Sequence, residues 1–184
     1  MKQNLDQLID NLLADFSPKQ RRVIVGRFGL KTGERSTLQF IGDELKITRE
    51  RVRQIEEQAI KKLSKKVKEE AAVILDYARK HLAGVGGVKR DDNFMNDLIH
   101  GLEIGADVKH ADQKLRFILL VAGVPSYSKN DDNAQAFWFS DEKSKEKFHD
   151  FIKTVTNFLK SGKKEEILNK KLYLNHMKDL VSAH

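Results

Sequence analysis

Arg49, Glu50, Arg53 and Gln54 lie within six consecutive positions and are all residue types that read the edges of base pairs. Arginine donates two parallel hydrogen bonds to guanine, glutamate accepts from cytosine N4, and glutamine pairs bidentately with adenine. Each good pair discriminates against the wrong base by roughly 1–3 kcal/mol. Spacings of three and four bring such side chains to one side of a helix. Thr37, Thr48, Arg51, Lys61 and Lys62 supply hydroxyls and charge suited to phosphate oxygens, and Lys65 and Lys66 extend the basic run. Phosphate contacts position a helix without specifying sequence. On a generic helix these residues would be no more than a solvated face with surface ion pairs, so the surrounding pattern has to decide.

That pattern is a helix-turn-helix over residues 37–64. Ile41, Leu45, Ile47, Val52 and Ile55 fall where two crossing helices must pack, and Gly42 falls where a side chain would obstruct the second helix. The turn is expected at Lys46-Ile47, with Thr48 capping the second helix. Val52, Ile55, Ala59 and Leu63 form its buried stripe, which leaves the polar residues on another face. Upstream, Leu5, Leu8, Ile9, Leu12 and Leu13 mark an amphipathic helix. Ser17-Pro18-Lys19-Gln20 combines a cap, a proline at the first helical position and a capping-box glutamine. The helix it starts carries Val23, Ile24, Arg27 and Phe28 and ends at Gly29, and Ser36 or Thr37 caps the next.

Composition narrows the function. The chain has 184 residues, 40% hydrophobic and 33% charged, which describes a globular protein with no disordered bias. Its longest apolar run, Phe117 to Val124, is too short to span a bilayer, and the N-terminus lacks a signal peptide's apolar stretch. Zero cysteines exclude disulfides and thiolate chemistry and fit a cytoplasmic, nucleoid-associated home. A net charge of +7 makes polyanions the first partners to consider. No catalytic site, metal site or cofactor is expected. The six histidines are scattered, Gly84-Val85-Gly86-Gly87 lacks the lysine of a phosphate loop, and Asp91-Asp92 and Asp131-Asp132 read as solvated loop residues.

The segments Ser17-Pro18-Lys19-Gln20-Arg21-Arg22-Val23-Ile24, Arg27-Phe28-Gly29-Leu30, Thr37-Leu38, Ile41-Gly42 and Thr48-Arg49-Glu50-Arg51-Val52-Arg53-Gln54-Ile55-Glu56 resemble region 4 of the bacterial housekeeping sigma factors. The likeness spans residues 12–64, with Ala59 and Lys62-Leu63 behind the core motif. It implies that Arg49, Glu50, Arg53 and Gln54 read a promoter −35-like element of double-stranded DNA. It also implies contact with RNA polymerase, whose β flap the family holds in an apolar cleft. Phe40 departs from the family, which usually has an acidic or polar residue there, so the local surface is altered or adapted to a partner. Nothing resembles sigma region 2, and about a dozen residues precede the match. The expectation is a regulator built on the sigma DNA-reading domain, or a fragment or split subunit of a larger system. The alternative is an adaptor that binds the β flap or a sigma factor without reading bases.

The glycine cluster at residues 84–87 divides the chain. Beyond it, residues 91–102 and 111–122 read as helices, 124–140 as an aromatic β-hairpin with Asn130–Asn133 at its tip, and 142–160 and 164–181 as further helices. The expected fold is mainly α: a helix-turn-helix domain followed by a winged-helix-like α+β domain with one β-hairpin and C-terminal helices. The expected boundaries are 1–66 for the first domain, 67–87 for a helical connector that could instead open the second, and 88–184 for the second. The 111–122 helix, with Lys114 and Arg116, would be the third helix of the winged fold, a place from which it could touch DNA. Asp131 and Asp132 at the wing tip would repel phosphate, so this half favours a protein partner. Phe137, Trp138 and Phe139 read as packing residues.

Overall fold

The computed structural model describes residues 4–131 and 134–161. α1 (Leu5–Leu13) starts at Asn4, whose side chain accepts a hydrogen bond from the Gln7 amide, and it buries the five apolar residues of its stripe. α2 (Pro18–Phe28) opens with the complete capping box: the Gln20 amide donates to Ser17 Oγ at 3.3 Å and the Ser17 amide donates to Gln20 Oε1 at 3.1 Å. Gly29 ends it in the left-handed region at φ 64°. α3 (Leu38–Leu45) and the 22-residue α4 (Arg49–Glu70) form the helix-turn-helix. At 1.5 Å per residue α4 is about 33 Å long. Only Ala71 separates it from α5 (Ala72–Gly84), so helical structure is nearly unbroken from residue 49 to the glycine cluster.

The remainder follows the winged-helix order: β1 (Val88–Arg90), α6 (Asp91–Gly101), α7 (Ala111–Ala122), β2 (Ser126–Ser128), β3 (Phe137–Phe139) and α8 (Glu142–Ser161). The three strands make an antiparallel sheet in the order β1-β3-β2, with Lys89 and Tyr127 both opposite Trp138. The hairpin is as expected; β1 was not foreseen. Its Val-Lys-Arg sequence holds one apolar residue and too little alternation to register as a strand. It forms where Gly86 and Gly87, both with positive φ, release the chain from α5 beside β3. The expected 164–181 helix and wing-tip residues Asp132 and Asn133 lie outside the described residues.

Phe137, Trp138 and Phe139 are all buried, Phe137 with its ring 4.7 Å from that of Phe148 on α8. Trp138 Nε1 donates to Asp91 Oδ1 at 2.7 Å, and Arg116 Nη2 lies 2.9 Å from Asp91 Oδ2. Asp91 is therefore not the solvated loop residue its neighbour Asp92 suggests. It is the acceptor at the centre of a buried network. Burial alone would lower the Arg116 pKa, but its hydrogen bonds and charge pairing with Asp91 more than offset this and raise it.

One apolar core runs through the chain on both sides of residue 66. It joins Leu5 and Leu12 of α1, Phe28 of α2, Leu63 and Val67 of α4, Leu75 of α5, Phe94 of α6 and Leu115, Phe117 and Ile118 of α7. α7 is its central member, with nine of its twelve residues buried, including Lys114 and Arg116. Lys114 bonds to Asp6 of α1 and donates to the Lys109 carbonyl at 2.6 Å, while Arg116 is held by Asp91 and Asp112. The expectation that α7 could present these cations to DNA is corrected by this burial. Phe117 meets Phe28 edge-on at 4.9 Å between centroids.

Phe117→Ala should lower stability by about 3–5 kcal/mol through lost burial and a cavity. Urea unfolding followed by helical circular dichroism and by fluorescence of the single tryptophan, Trp138, checks this. Coincident transitions are expected from a shared core; separate midpoints would mean that the halves unfold independently.

Candidate nucleic-acid interface

The helix-turn-helix has its own small core. Val23 of α2 packs with Ile41 of α3 and with Val52 and Ile55 of α4, and the half-buried Leu38, Leu45 and Ile47 close its edges. Thr37 Oγ1 accepts from the Phe40 amide at 3.1 Å, so it is Thr37, not Ser36, that caps α3. Lys46 turns the chain in the left-handed region at φ 52°, and the Ile47 amide donates to the Gly42 carbonyl at 2.9 Å. Thr48 then caps α4 by accepting from the Arg51 amide at 3.1 Å. A Cβ on Gly42 would stand 2.8 Å from the Ile47 carbonyl oxygen, so the turn passes too close to α3 for any other residue.

Burial of Val52, Ile55, Ala59, Leu63 and Val67 orients α4, and Arg49, Glu50, Arg51 and Arg53 are exposed at its start with Gln54 half-buried beside them. These side chains are prepaired. Arg53 donates to both oxygens of Glu50, at 2.8 and 2.7 Å, and also bonds to Glu57. Arg51 Nη1 donates to Gln54 Oε1 at 3.1 Å. The Arg49 side chain makes no hydrogen bond among the described residues. The hydrogen bond from Arg53 holds the Glu50 carboxyl below its ordinary range, and the pairing raises Arg53 in turn. Glu50 is therefore an ionised acceptor at neutral pH. Being exposed, these pairs are weak and exchange readily for other partners.

The phosphate candidates separate in space. Thr37 and Thr48 are exposed at the N-termini of α3 and α4, where unpaired backbone amides favour anions. Arg51 lies on the first turn of α4, and Lys61 is exposed about 15 Å further along the helix. Lys62 is not aligned with them: its ammonium donates to the Asp15 carbonyl at 3.3 Å and sits 5.0 Å from the centre of the Phe16 ring. Lys66 is likewise turned toward Asn11 and Asp15.

Sequence reading missed the clamps between helices. Arg27 Nε donates to Glu56 Oε2 at 3.0 Å and its Nη1 donates to the Ser36 carbonyl at 2.7 Å, tying α2 to α4 and to the loop before α3. Arg22 bonds to Glu44 and ties α2 to α3. No spacing rule links residues 22 and 44, whereas the hold of Glu57 on Arg53 follows the i, i+4 rule and was legible. Among the described residues no group of three or more His, Asp or Glu side chains gathers where it could hold a metal ion, and no helix is long and apolar enough to cross a membrane.

Residues 12–65 match the family model for sigma-70, region 4. This segment is a region 4 module. Over 66 residues the chain is 44% identical to the RNA polymerase sigma factor sigB of Arabidopsis thaliana, covering 36% of this chain and 11% of that protein. Over 63 residues it is 46% identical to the RNA polymerase sigma-C factor of Nostoc, covering 34% of this chain and 15% of that protein. The RNA polymerase sigma factor RpoD of Helicobacter pylori is 48% identical over 64 residues, 34% of this chain and 10% of that protein. The chain thus spans 10–15% of the length of these relatives.

Gly42→Ala should destabilise the chain by about 1–3 kcal/mol, because the turn must move to admit a methyl group. Thr48→Ala should cost about 0.5–2 kcal/mol by uncapping α4. Urea denaturation curves of both variants test this. A wild-type midpoint for Gly42→Ala would contradict the close approach at the turn.

Proposed function

We propose that this chain binds promoter-type DNA as a transcription regulator, with the start of α4 in the major groove reading a −35-like element. The observation that carries this reading is the joint exposure of Arg49, Glu50 and Arg53, with the half-buried Gln54 beside them, on the first turns of a helix whose opposite face is packed. A recognition helix presents its N-terminal residues to base edges in this way. The names of the relatives add support, since all three are RNA polymerase sigma factors matched over this same segment. In this reading Arg53 leaves Glu50 and Glu57 for guanine, and Glu50, freed, accepts from cytosine N4. Thr37, Thr48, Arg51 and Lys61 follow the phosphates, while Lys62, exposed but turned toward Asp15 and Phe16, would have to leave them to join the others.

A second reading, an adaptor that binds polymerase or a sigma factor without reading bases, draws on one observation: carboxylates neutralise Arg53 in the free protein. Against its simplest form stands α7. The apolar face of the module formed by Phe28, Leu30 and Leu63 lies in the core with Phe117 and Ile118, so a polymerase flap segment reaching that face would have to displace α7.

Selection from random duplexes at near-physiological salt should enrich a −35-like motif. Arg53→Ala should relax preference at one base pair and cost about 1–3 kcal/mol on the selected site. Lys61→Ala should instead weaken all duplexes about equally and reduce the salt slope by about 1. Equal losses on selected and random DNA for Arg53→Ala would remove the base-reading assignment. Retention of the polymerase β flap by an Arg49→Ala/Arg53→Ala chain that no longer binds DNA would favour the adaptor.

A further inference from the structure

α2, the loop at residues 31–36 and the start of α3 enclose an open groove of about 850 Å³ beside the helix-turn-helix. Its apolar lining is Pro18, Val25, Gly26 and Phe40. At 59% exposure Phe40 is the most exposed large apolar side chain among the described residues. The rim is cationic. Arg21, Lys31 and Arg35 line the groove together with Arg22, and Glu34 is the one carboxylate among them. Arg22 is committed to Glu44, and Arg21 spends one donor on the Leu13 carbonyl at 3.0 Å. Lys31 and Arg35 have no ion-pair partner among the described residues.

We propose that this groove docks an acidic amphipathic segment of another protein, with an apolar side chain against Phe40 and Val25 and carboxylates on Arg21, Lys31 and Arg35. An apolar patch rimmed by charge on an otherwise polar surface marks a binding face, and an amphipathic helix laid in a groove satisfies both parts. The charge of the groove selects its occupant. A second copy of this chain carries a net +7 and would be repelled. Residues 162–184 hold five lysines against three carboxylates and do not complement the rim either. A DNA backbone would satisfy the cations, but it brings no apolar group to cover Phe40. The assignment stands independently of base reading, because it uses none of Arg49, Glu50, Arg53 or Gln54.

The test is a random-peptide display selection on the full chain, followed by fluorescence anisotropy of an enriched peptide. Enriched peptides should be net acidic and carry Leu, Phe or Trp at helical spacing. Phe40→Ser and Arg35→Glu should each weaken binding by about tenfold or more, equivalent to about 1.4 kcal/mol, whereas Lys61→Ala should leave it unchanged. Both substituted residues are exposed, so circular dichroism should match the wild type; should Arg35→Glu unfold the chain, Lys31→Glu replaces it. Three results overturn the proposal: no acidic consensus, undiminished binding to Phe40→Ser, or a random duplex displacing the peptide while Phe40→Ser weakens the duplex by the same factor. The last would give the groove to DNA.

Discussion

Val52, Ile55, Ala59, Leu63 and Val67 form a single buried line along α4, and the molecule is organised around it. The first part of the line is shared with α2 and α3, the rest with α1 and α7. Each fully buried aliphatic side chain contributes about 1.5–3 kcal/mol relative to exposure, so the rotation of α4 about its axis is strongly fixed. A helix has only one face for each period of 3.6 residues. With one face committed to the core, Arg49, Glu50 and Arg53 must emerge on the other. Packing and presentation are thus the same constraint seen from two sides.

On the exposed face the charges are balanced rather than simply basic. Glu50 and Glu57 flank Arg53, so the free helix presents a paired guanidinium. For a helix that reads bases this has a physical use. A lone arginine is drawn to any phosphate, whereas one held by carboxylates gains most where a base edge offers bidentate geometry and a cytosine amino group takes up the released glutamate. Because the pairs are exposed, the exchange costs little.

The second half departs from what its element order suggests. In a winged-helix order the third helix would be the natural one to meet DNA, and α7 carries two cations. Both are turned inward. A buried cation is costly unless paired, and Lys114 and Arg116 are paired with Asp6, Asp91 and Asp112. These bonds join α7 to α1 and α6, and Phe117 joins it to the region 4 module. The helix therefore locks the two halves together, leaving the start of α4 and the groove beside Phe40 as exposed features of the first half.

What the sequence determined by itself was local. Ser17 and Thr48 as caps, Gly29 and Lys46 as helix ends, the stripe of α4 and the inward-facing residues of the helix-turn-helix all follow from short spacings. So does the exposure of Arg49, Glu50 and Arg53, since three- and four-residue periods set faces within one helix. The tertiary structure decided whatever joins distant positions: the Arg22–Glu44 and Arg27–Glu56 clamps, Asp91 beneath Trp138, β1 beside β3, and Lys62 folded back onto Asp15. It also decided that α7 is a core helix and that Phe40 lines a cationic groove. Periodicity says which side of a helix is apolar but not which neighbour covers it. A charged residue reads the same in sequence whether water or a buried carboxylate receives it.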